Sequence, residues 1–322
     1  MTPAPPRSRT GNGVTAARWA RILRGLRHRV GVAAEYRGQA CDLLVALHAR
    51  RSYASIERFR RERPGAPLIV AMTGTDLYRD LPRSARARRA IQLASRVVVL
   101  QPLGLRALPA ASRRKARVIV QSAVRPHGRF RPRPGVFEVC VLANLRAVKD
   151  PFRAALAARR LPAASRVRIR HVGAALENAT ERRARREEAE NPRYEWLGSV
   201  PRPRALRILA RSRLLVLTSR LEGGANVVSE ALAASVPVLA SRIPGTVGIL
   251  GRRYPGYFPA ADTRALAVLL ERAERDRAFY RRLREWCRRR RRLVAPAGER
   301  QAWRRVLREL TGGGADSPAR TR

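Results

Sequence analysis

Four short apolar runs, Leu43 to Leu47, Leu68 to Met72, Val97 to Leu100 and Val118 to Val120, punctuate the first part of the chain. Between them, near residues 14 to 28, 53 to 61, 84 to 93 and 104 to 115, apolar residues recur at helical spacing among arginines. Runs this short and this apolar suit strands buried on both faces. Their alternation with amphipathic segments predicts a parallel sheet with right-handed helical crossovers. The alternation restarts further on, with strands expected at 137 to 142, 167 to 172, 194 to 197, 214 to 217, 237 to 240 and 257 to 258. Between Arg125 and Pro134 the chain reads Arg-Pro-His-Gly-Arg-Phe-Arg-Pro-Arg-Pro, which carries neither period and reads as a linker.

The pattern therefore predicts an α/β protein of two Rossmann-like domains, residues 1 to 130 and 135 to 295, with ligands in the cleft between them. Residues 264 to 312 are helical and heavily basic, broken at Pro296. Residues 312 to 322 have the composition of a disordered tail. A doubly wound domain should open on a buried strand, whereas Met1-Thr2-Pro3-Ala4-Pro5-Pro6 stands where that strand should already have ended. The expectation is that the native chain starts upstream of Met1.

Candidate chemistry gathers at the predicted strand ends. After the run Leu214 to Leu217 the chain reads Glu222-Gly223-Gly224-Ala225-Asn226-Val227-Val228-Ser229-Glu230, two carboxylates with seven residues between them and a glycine pair inside. A Gly-Gly turn lets backbone amides approach a diphosphate. A helix starting near Asn226 would aim its N–H groups at the same phosphates. Glu222 in the loop and Glu230 on the helix are then placed to accept paired sugar hydroxyls, one on each side of the phosphate cradle.

Upstream, an apolar strand breaks into Asn144-Leu145-Arg146-Ala147-Val148-Lys149-Asp150-Pro151, which brings Arg146 and Lys149 to a strand end. Cations there would neutralise a leaving diphosphate and favour the transition state over the ground state. Lys149 is the more telling of the two, because only Lys115 and Lys149 are lysines among 69 basic residues.

In the first half, His48 follows a predicted strand and could hydrogen-bond a sugar hydroxyl, shuttle a proton or cap the next helix. Arg50 and Arg51 offer forked guanidiniums suited to a tetrahedral oxyanion. Thr73-Gly74-Thr75-Asp76 ends the next strand: the glycine permits close approach, the hydroxyls can donate, and Asp76 caps the helix or orients Arg79. Gly11-Asn12-Gly13 is a third such loop, ahead of the helix that carries Arg18 and Trp19.

Composition changes the picture in one respect. A formal charge of +45 invites a nucleic-acid or anionic-membrane reading. The arginines, however, recur in every helical segment instead of forming one stripe, and seven Tyr and six Phe are few to interleave as stacking platforms. Specific nucleic-acid binding is not expected; salt-dependent sticking to polyanions is. Cys41, Cys140 and Cys287 are odd in number and share no metal spacing, which suits buried thiols in a reducing compartment. With no apolar stretch of membrane-spanning length, a cytoplasmic protein without integral membrane segments is expected; nothing in the chain signals an oligomeric state.

Asn-Leu-Arg-x-x-Lys-Asp-Pro, the Glu-x7-Glu pair and Ala231-Leu-Ala-Ala-Ser-Val-Pro-Val-Leu-Ala-Ser-Arg-Ile-Pro-Gly245 resemble the C-terminal domain of family 4 glycosyltransferases, retaining enzymes of the GT-B fold. More narrowly, Pro3-Ala4-Pro5-Pro6, Gly11-Asn12, Leu47-His48-Ala49-Arg50-Arg51-Ser52, Thr73-Gly74-Thr75-Asp76-Leu77-Tyr78-Arg79-Asp80-Leu81 and Glu222 to Glu230 resemble the selenosugar synthases of selenoneine biosynthesis, over about residues 3 to 310.

That resemblance implies a last helix, residues 296 to 311, crossing back onto the N-terminal domain. It implies a histidine, here His48, facing the donor sugar. The implied reaction transfers a sugar, expected to be N-acetylglucosamine, from a UDP-sugar to selenophosphate. His48, Lys149 and Glu222 would then be catalytic, Arg146, Gly223, Gly224, Ala225, Asn226, Val227 and Glu230 would bind the donor, and Gly11, Asn12, Arg50, Arg51, Thr73, Gly74, Thr75 and Asp76 would bind the acceptor. No Asp-x-Asp pair is present and no metal or other cofactor is expected. The rival expectations are an ordinary family 4 transferase acting on a sugar or lipid hydroxyl, with helix 14 to 28 lying on an anionic bilayer, and a non-catalytic basic nucleic-acid-binding protein.

Overall fold

The computed structural model describes residues 1 to 3 and 11 to 311. The chain divides into two compact units, Met1–Gln121 joined by the segment from Pro296 onward, and Ser122–Ala295. The stretch from Ser122 thus belongs with the second unit, where the Ala123 N–H donates to the Val294 carbonyl at 3.1 Å. That places the boundary earlier in the chain than residue 130.

The first unit runs α1 (Gly11–Arg24), β1 (Leu44–Leu47), α2 (Tyr53–Glu62), β2 (Leu68–Ala71), a π-helical turn (Asp76–Asp80), α3 (Ala85–Leu93), β3 (Arg96–Val99), a 3₁₀ turn (Pro102–Ala107), α4 (Ala110–Arg113) and β4 (Ala116–Val118). Its sheet is parallel, in the order β1-β2-β3-β4. Every residue of β2 is buried, as expected of a strand covered on both faces. Met1 lies along the other edge of β1, its ammonium donating to the Val45 carbonyl at 2.7 Å and its carbonyl accepting from Leu47 N–H at 3.1 Å.

Two expectations change here. The helix predicted over 104 to 115 is split into a 3₁₀ turn and the single turn α4, because Pro109 interrupts the ladder. Gly11, Asn12 and Gly13 are not a loop ahead of a helix; they are the first turn of α1.

The second unit runs β5 (Phe137–Leu142), a 3₁₀ turn (Ala147–Lys149), α5 (Arg153–Ala158), β6 (Val167–Val172), α6 (Asn178–Glu190), β7 (Tyr194–Trp196), α7 (Arg202–Arg211), β8 (Leu214–Leu217), α8 (Asn226–Ala234), β9 (Val238–Ser241), α9 (Pro244–Leu250), β10 (Tyr257–Phe258), α10 (Thr263–Arg275) and α11 (Arg277–Arg290). Its parallel sheet is ordered β10-β9-β8-β5-β6-β7. From β5 the chain winds one way through β6 and β7. It then returns to β8 on the other side of β5 and winds outward again. The order therefore reverses between β5 and β8, which is where an open α/β sheet leaves a crevice at the carboxyl ends of its strands.

The basic helical segment breaks twice. Pro296 opens α12 (Pro296–Thr311) as expected. The second break is at Asp276, which closes α10 and caps α11 by accepting from Phe279 N–H at 2.8 Å. Helix α12 packs in the first unit. Trp303 meets Trp19 of α1 edge-on, ring centroids 4.8 Å apart, and Glu309 bridges Arg96 and Arg117. Glu299, its side chain fully buried, accepts from Trp19 Nε1 at 2.7 Å and pairs with Arg18 at 3.1 Å. Residues 312 to 322, expected to form a disordered tail, lie outside the described residues.

Candidate active site

Two loops leave the sheet at the reversal point of the second unit, one after β5 and one after β8, and they are laced together. The Thr218 hydroxyl lies 2.9 Å from the carbonyls of both Lys149 and Asp150, and Arg220 N–H donates to the Val148 carbonyl at 2.9 Å. Asp150 turns the first loop in the left-handed region, with φ of 46°. The two chains are thereby fixed so that Lys149 Nζ meets Glu222 Oε1 at 2.5 Å. Ser219 Oγ donates to the same oxygen at 2.7 Å, and its own backbone carbonyl accepts from Ser241 Oγ at 2.6 Å. Arg146 stands exposed at the start of the turn that carries Lys149.

From Glu222 the chain passes through the buried Gly223 and Gly224 to Ala225, the N-cap of α8, which offers no side-chain acceptor to the first turn. Asn226 and Val227 open the helix, half-buried, so its dipole end faces the crevice unneutralised by an acidic residue in the first turn. Glu230, one turn on and buried, pairs with Arg202 at 2.5 Å. Sequence reading found both carboxylates and missed Arg202, which a Pro-Arg-Pro-Arg stretch hides among many arginines.

The walls of this site rest on close backbone contacts. A Cβ on Gly245, at the start of α9, would lie 2.1 Å from the Glu222 carbonyl oxygen, and one on Gly173 would lie 1.9 Å from that of Ala143. Behind the β5 loop, His171 is wholly buried: Nε2 bonds the Ala143 carbonyl at 2.8 Å and Nδ1 accepts from the Tyr194 hydroxyl at 2.9 Å. Burial pushes its pKa down to about 4, so the imidazole is neutral with its proton on Nε2.

In the first unit, His48 sits at the end of β1 with φ of 71°, a left-handed conformation costly for a residue with a Cβ. Arg51 N–H approaches Nδ1 at 3.4 Å and Thr75 Oγ1 lies 3.2 Å from Nε2, which assigns the proton to Nε2. Burial lowers its pKa, and Arg51 adds to this against the opposing pull of Asp76 and Asp80.

Asp76 is fully buried and accepts from Ala49 N–H, Thr73 N–H and Thr73 Oγ1 at 2.9, 2.6 and 2.7 Å. It braces the loops after β1 and β2 against each other, with the Thr73 hydroxyl donating into that brace. Arg79 pairs with Asp80 at 3.2 Å instead of Asp76. Gly74 and Thr75 are helical residues that lead into the π-helical turn and are half-buried, and Arg50 is half exposed.

Among the described residues, no group of three or more His, Cys, Asp or Glu could hold a metal ion, and no helix is long and apolar enough to cross a membrane.

Residues 129–290 match the family described as Glycosyl transferases group 1, a stretch that is half of the chain and contains the reversal point with Lys149, Glu222 and Glu230. The chain belongs to the group 1 glycosyltransferases. This glycosyltransferase is also similar to solved structures. HepE from Anabaena in complex with UDP-glucose aligns with TM-score 0.67 at 16% identity, covering 84% of this chain and 79% of that one. Sucrose-phosphate synthase from Thermosynechococcus elongatus aligns with TM-score 0.68 at 18% identity, covering 84% and 74%. A UDP-forming α,α-trehalose-phosphate synthase from Burkholderia vietnamiensis aligns with TM-score 0.69 at 14% identity, covering 92% and 79%. These likenesses show the GT-B fold, two Rossmann-like domains in one chain. A comparison with curated proteins finds no match. As a transferase by family, the chain is not a non-catalytic basic scaffold.

Proposed function

We propose that this glycosyltransferase moves a sugar, N-acetylglucosamine in our reading, from a UDP-sugar to the selenium of selenophosphate. Selenium attacks the anomeric carbon, the bond from that carbon to the diphosphate oxygen breaks, and UDP leaves with the electron pair. Hydrolysis of the selenium–phosphorus bond then releases phosphate and a 1-seleno sugar.

The donor half rests on one observation above the rest: Lys149 and Glu222 meet at 2.5 Å beside the N-terminus of α8, at the reversal point of the second sheet. A cation and a helix dipole end together stabilise the charge that develops on a departing diphosphate, and the nearby Arg146 adds a second cation. Glu222 and Glu230 are the acceptors for sugar hydroxyls on the two sides of the phosphates. The uridine assignment is supported by the structures of HepE, which hold UDP and UDP-glucose.

The acceptor half is supported by the resemblance of the strings around His48 and Thr73 to selenosugar synthases, together with the cationic surroundings of those loops. Neutral His48 presents Nε2–H as a hydrogen-bond donor. A selenium anion is already a strong nucleophile, so the protein's task is to orient two anions more than to supply a base. The reducing cytoplasm is the compartment in which such an acceptor and the three free cysteines are expected.

The deciding experiment incubates the full chain with selenophosphate and a panel of UDP-sugars and reads the products by mass spectrometry. The expected products are UDP and a 1-seleno-N-acetylhexosamine. Transfer to sugar hydroxyls with none to selenophosphate would overturn the acceptor half. Absence of binding to any uridine diphosphate compound by folded protein would overturn the whole reading.

A further inference from the structure

Arg50 and Arg51 are adjacent in the sequence but diverge in the fold. Arg51 lines a cavity of about 570 Å³ together with Arg37 and Arg58. Arg50 reaches Asp80 instead, whose other oxygen Arg79 reaches. Asp80 is 5% exposed and closes the π-helical turn Asp76–Asp80, a local widening of the helix often found at functional sites. Its Oδ1 receives Arg79 Nε at 3.2 Å, and its Oδ2 lies 3.4 Å from Arg50 Nε and 3.9 Å from His48 Nε2. Oδ2 is buried and has no hydrogen-bond partner in good geometry, a costly state for a carboxylate oxygen unless the charges around it are held in place.

Both guanidiniums therefore face Asp80 through Nε. Among the described residues neither has another side-chain or carbonyl partner, and both side chains are about half exposed, 50% for Arg50 and 49% for Arg79. Pairing through Nε leaves the terminal nitrogens of each fork without a protein partner among the described residues. Two such forks, spread by one buried acid, present up to four donors to a single tetrahedral oxyanion. His48 Nε2 lies at the root of the same arrangement, 3.9 Å from Oδ2.

We propose that Arg50 and Arg79 form a two-armed cradle for the phosphoryl group of the acceptor, with Asp80 as the positioning residue that splays and anchors the arms. This rests on the acceptor half of the proposed function and replaces the Arg50–Arg51 pairing that adjacency in the sequence suggests.

The test exploits a sign. Asp80→Asn raises the local charge by one unit, so plain electrostatic attraction predicts tighter anion binding, whereas loss of the organiser predicts weaker binding. The full chain is titrated calorimetrically with inorganic phosphate and with thiophosphate at about 0.3 M salt, where exposed arginines are screened. UDP is titrated in parallel. Arg50→Gln and Arg79→Gln are each expected to weaken phosphate binding about tenfold or more, as loss of a charged hydrogen-bond pair does. Asp80→Asn is expected to weaken it too, with Arg83→Gln, an exposed arginine of the same segment, changing it less than about twofold. UDP affinity is expected to stay unchanged throughout. In the transfer assay the arginine variants should raise the acceptor KM and leave the donor KM alone.

Tighter phosphate binding by Asp80→Asn would overturn the organiser role. Wild-type affinity in Arg79→Gln, or no phosphate binding by the parent protein, would overturn the cradle itself. Should Asp80→Asn fail to fold, the two arginine variants decide. The UDP titration keeps a failed cradle distinct from a failed donor reading.

Discussion

Lys149 Nζ and Glu222 Oε1 stand 2.5 Å apart, although 73 positions separate them in the chain, because each ends a loop leaving one of two adjacent strands. In the proposed function an arriving diphosphate would compete with Glu222 for the lysine. We therefore expect Glu222→Gln to bind UDP as well as or better than the parent while sugar transfer falls about 10²-fold or more, and Lys149→Met to lower kcat by about 10²–10³-fold. Calorimetry with UDP and a coupled UDP-release assay separate the two effects. Weaker UDP binding in Glu222→Gln would contradict the competition.

On the proposed function, in which Lys149, Arg146 and the α8 terminus carry the diphosphate charge, transfer should survive chelation by EDTA. Activity before and after treatment, with magnesium or manganese added back, checks this. Complete loss restored by either metal would overturn it.

The sheet order and the position of the loops after β5 and β8 were legible because strands buried on both faces read as unbroken apolar runs that end where those loops begin. What stayed hidden follows from geometry that no local pattern encodes. Arg202 and Arg79 look like any other arginine until the fold sets one against Glu230 and the other against Asp80. Asp76 read as a helix cap or ligand group, yet it braces two loops from beneath, a role defined only by its distance from Ala49. The helix expected over 104 to 115 is divided at Pro109, whose missing N–H and fixed φ end one turn before the next begins. The break at Asp276 carried a cap signal of the same kind.

His171 predicts an acid-sensitive second unit. Its folded pKa of about 4 lies below the ordinary value of 6.5, so the unfolded chain binds a proton that the folded chain refuses. This contribution is fully favourable above pH 6.5, declines as pH falls toward 4, and amounts to roughly 3 kcal/mol at its limit. Melting temperatures measured from pH 7.5 to 4.5 should drop more steeply for the parent than for His171→Gln. That variant should be less stable than the parent at neutral pH, because it cannot reproduce both bonds to Tyr194 and Ala143. Parallel pH profiles would contradict the assignment.

Glu299 ties α12 to α1 through Trp19 and Arg18 with its side chain fully buried. Removing one partner of a buried pair leaves the other uncompensated, so Glu299→Ala should destabilise by about 3–5 kcal/mol. Glu299→Gln keeps an acceptor for the indole N–H and should cost less. Urea unfolding of the full chain measures both; equal losses would mean that the charge contributes nothing and packing alone matters.

Gly245 supplies the strictest geometric test of the donor site. A methyl group there would sit 2.1 Å from the Glu222 carbonyl oxygen and 2.7 Å from both its carbonyl carbon and its Cβ. Backbone cannot swing aside as a flexible side chain can. Gly245→Ala must therefore move either the first turn of α9 or the loop that carries Glu222. The α9 side is pinned: the Thr246 hydroxyl donates to the Ser241 carbonyl at 2.6 Å and Ile249 and Leu250 are buried. The Glu222 side is held by hydrogen bonds of the loop after β8 and runs on into the glycine pair, so it is the part expected to give. The carboxylate would then leave Lys149 and Ser219 together. We expect UDP-sugar affinity to fall about tenfold or more and Tm to fall by several degrees, in line with overpacking penalties of about 1–3 kcal/mol. Unchanged UDP-sugar affinity in a folded Gly245→Ala protein would show that the position of Glu222 is not what fixes the donor.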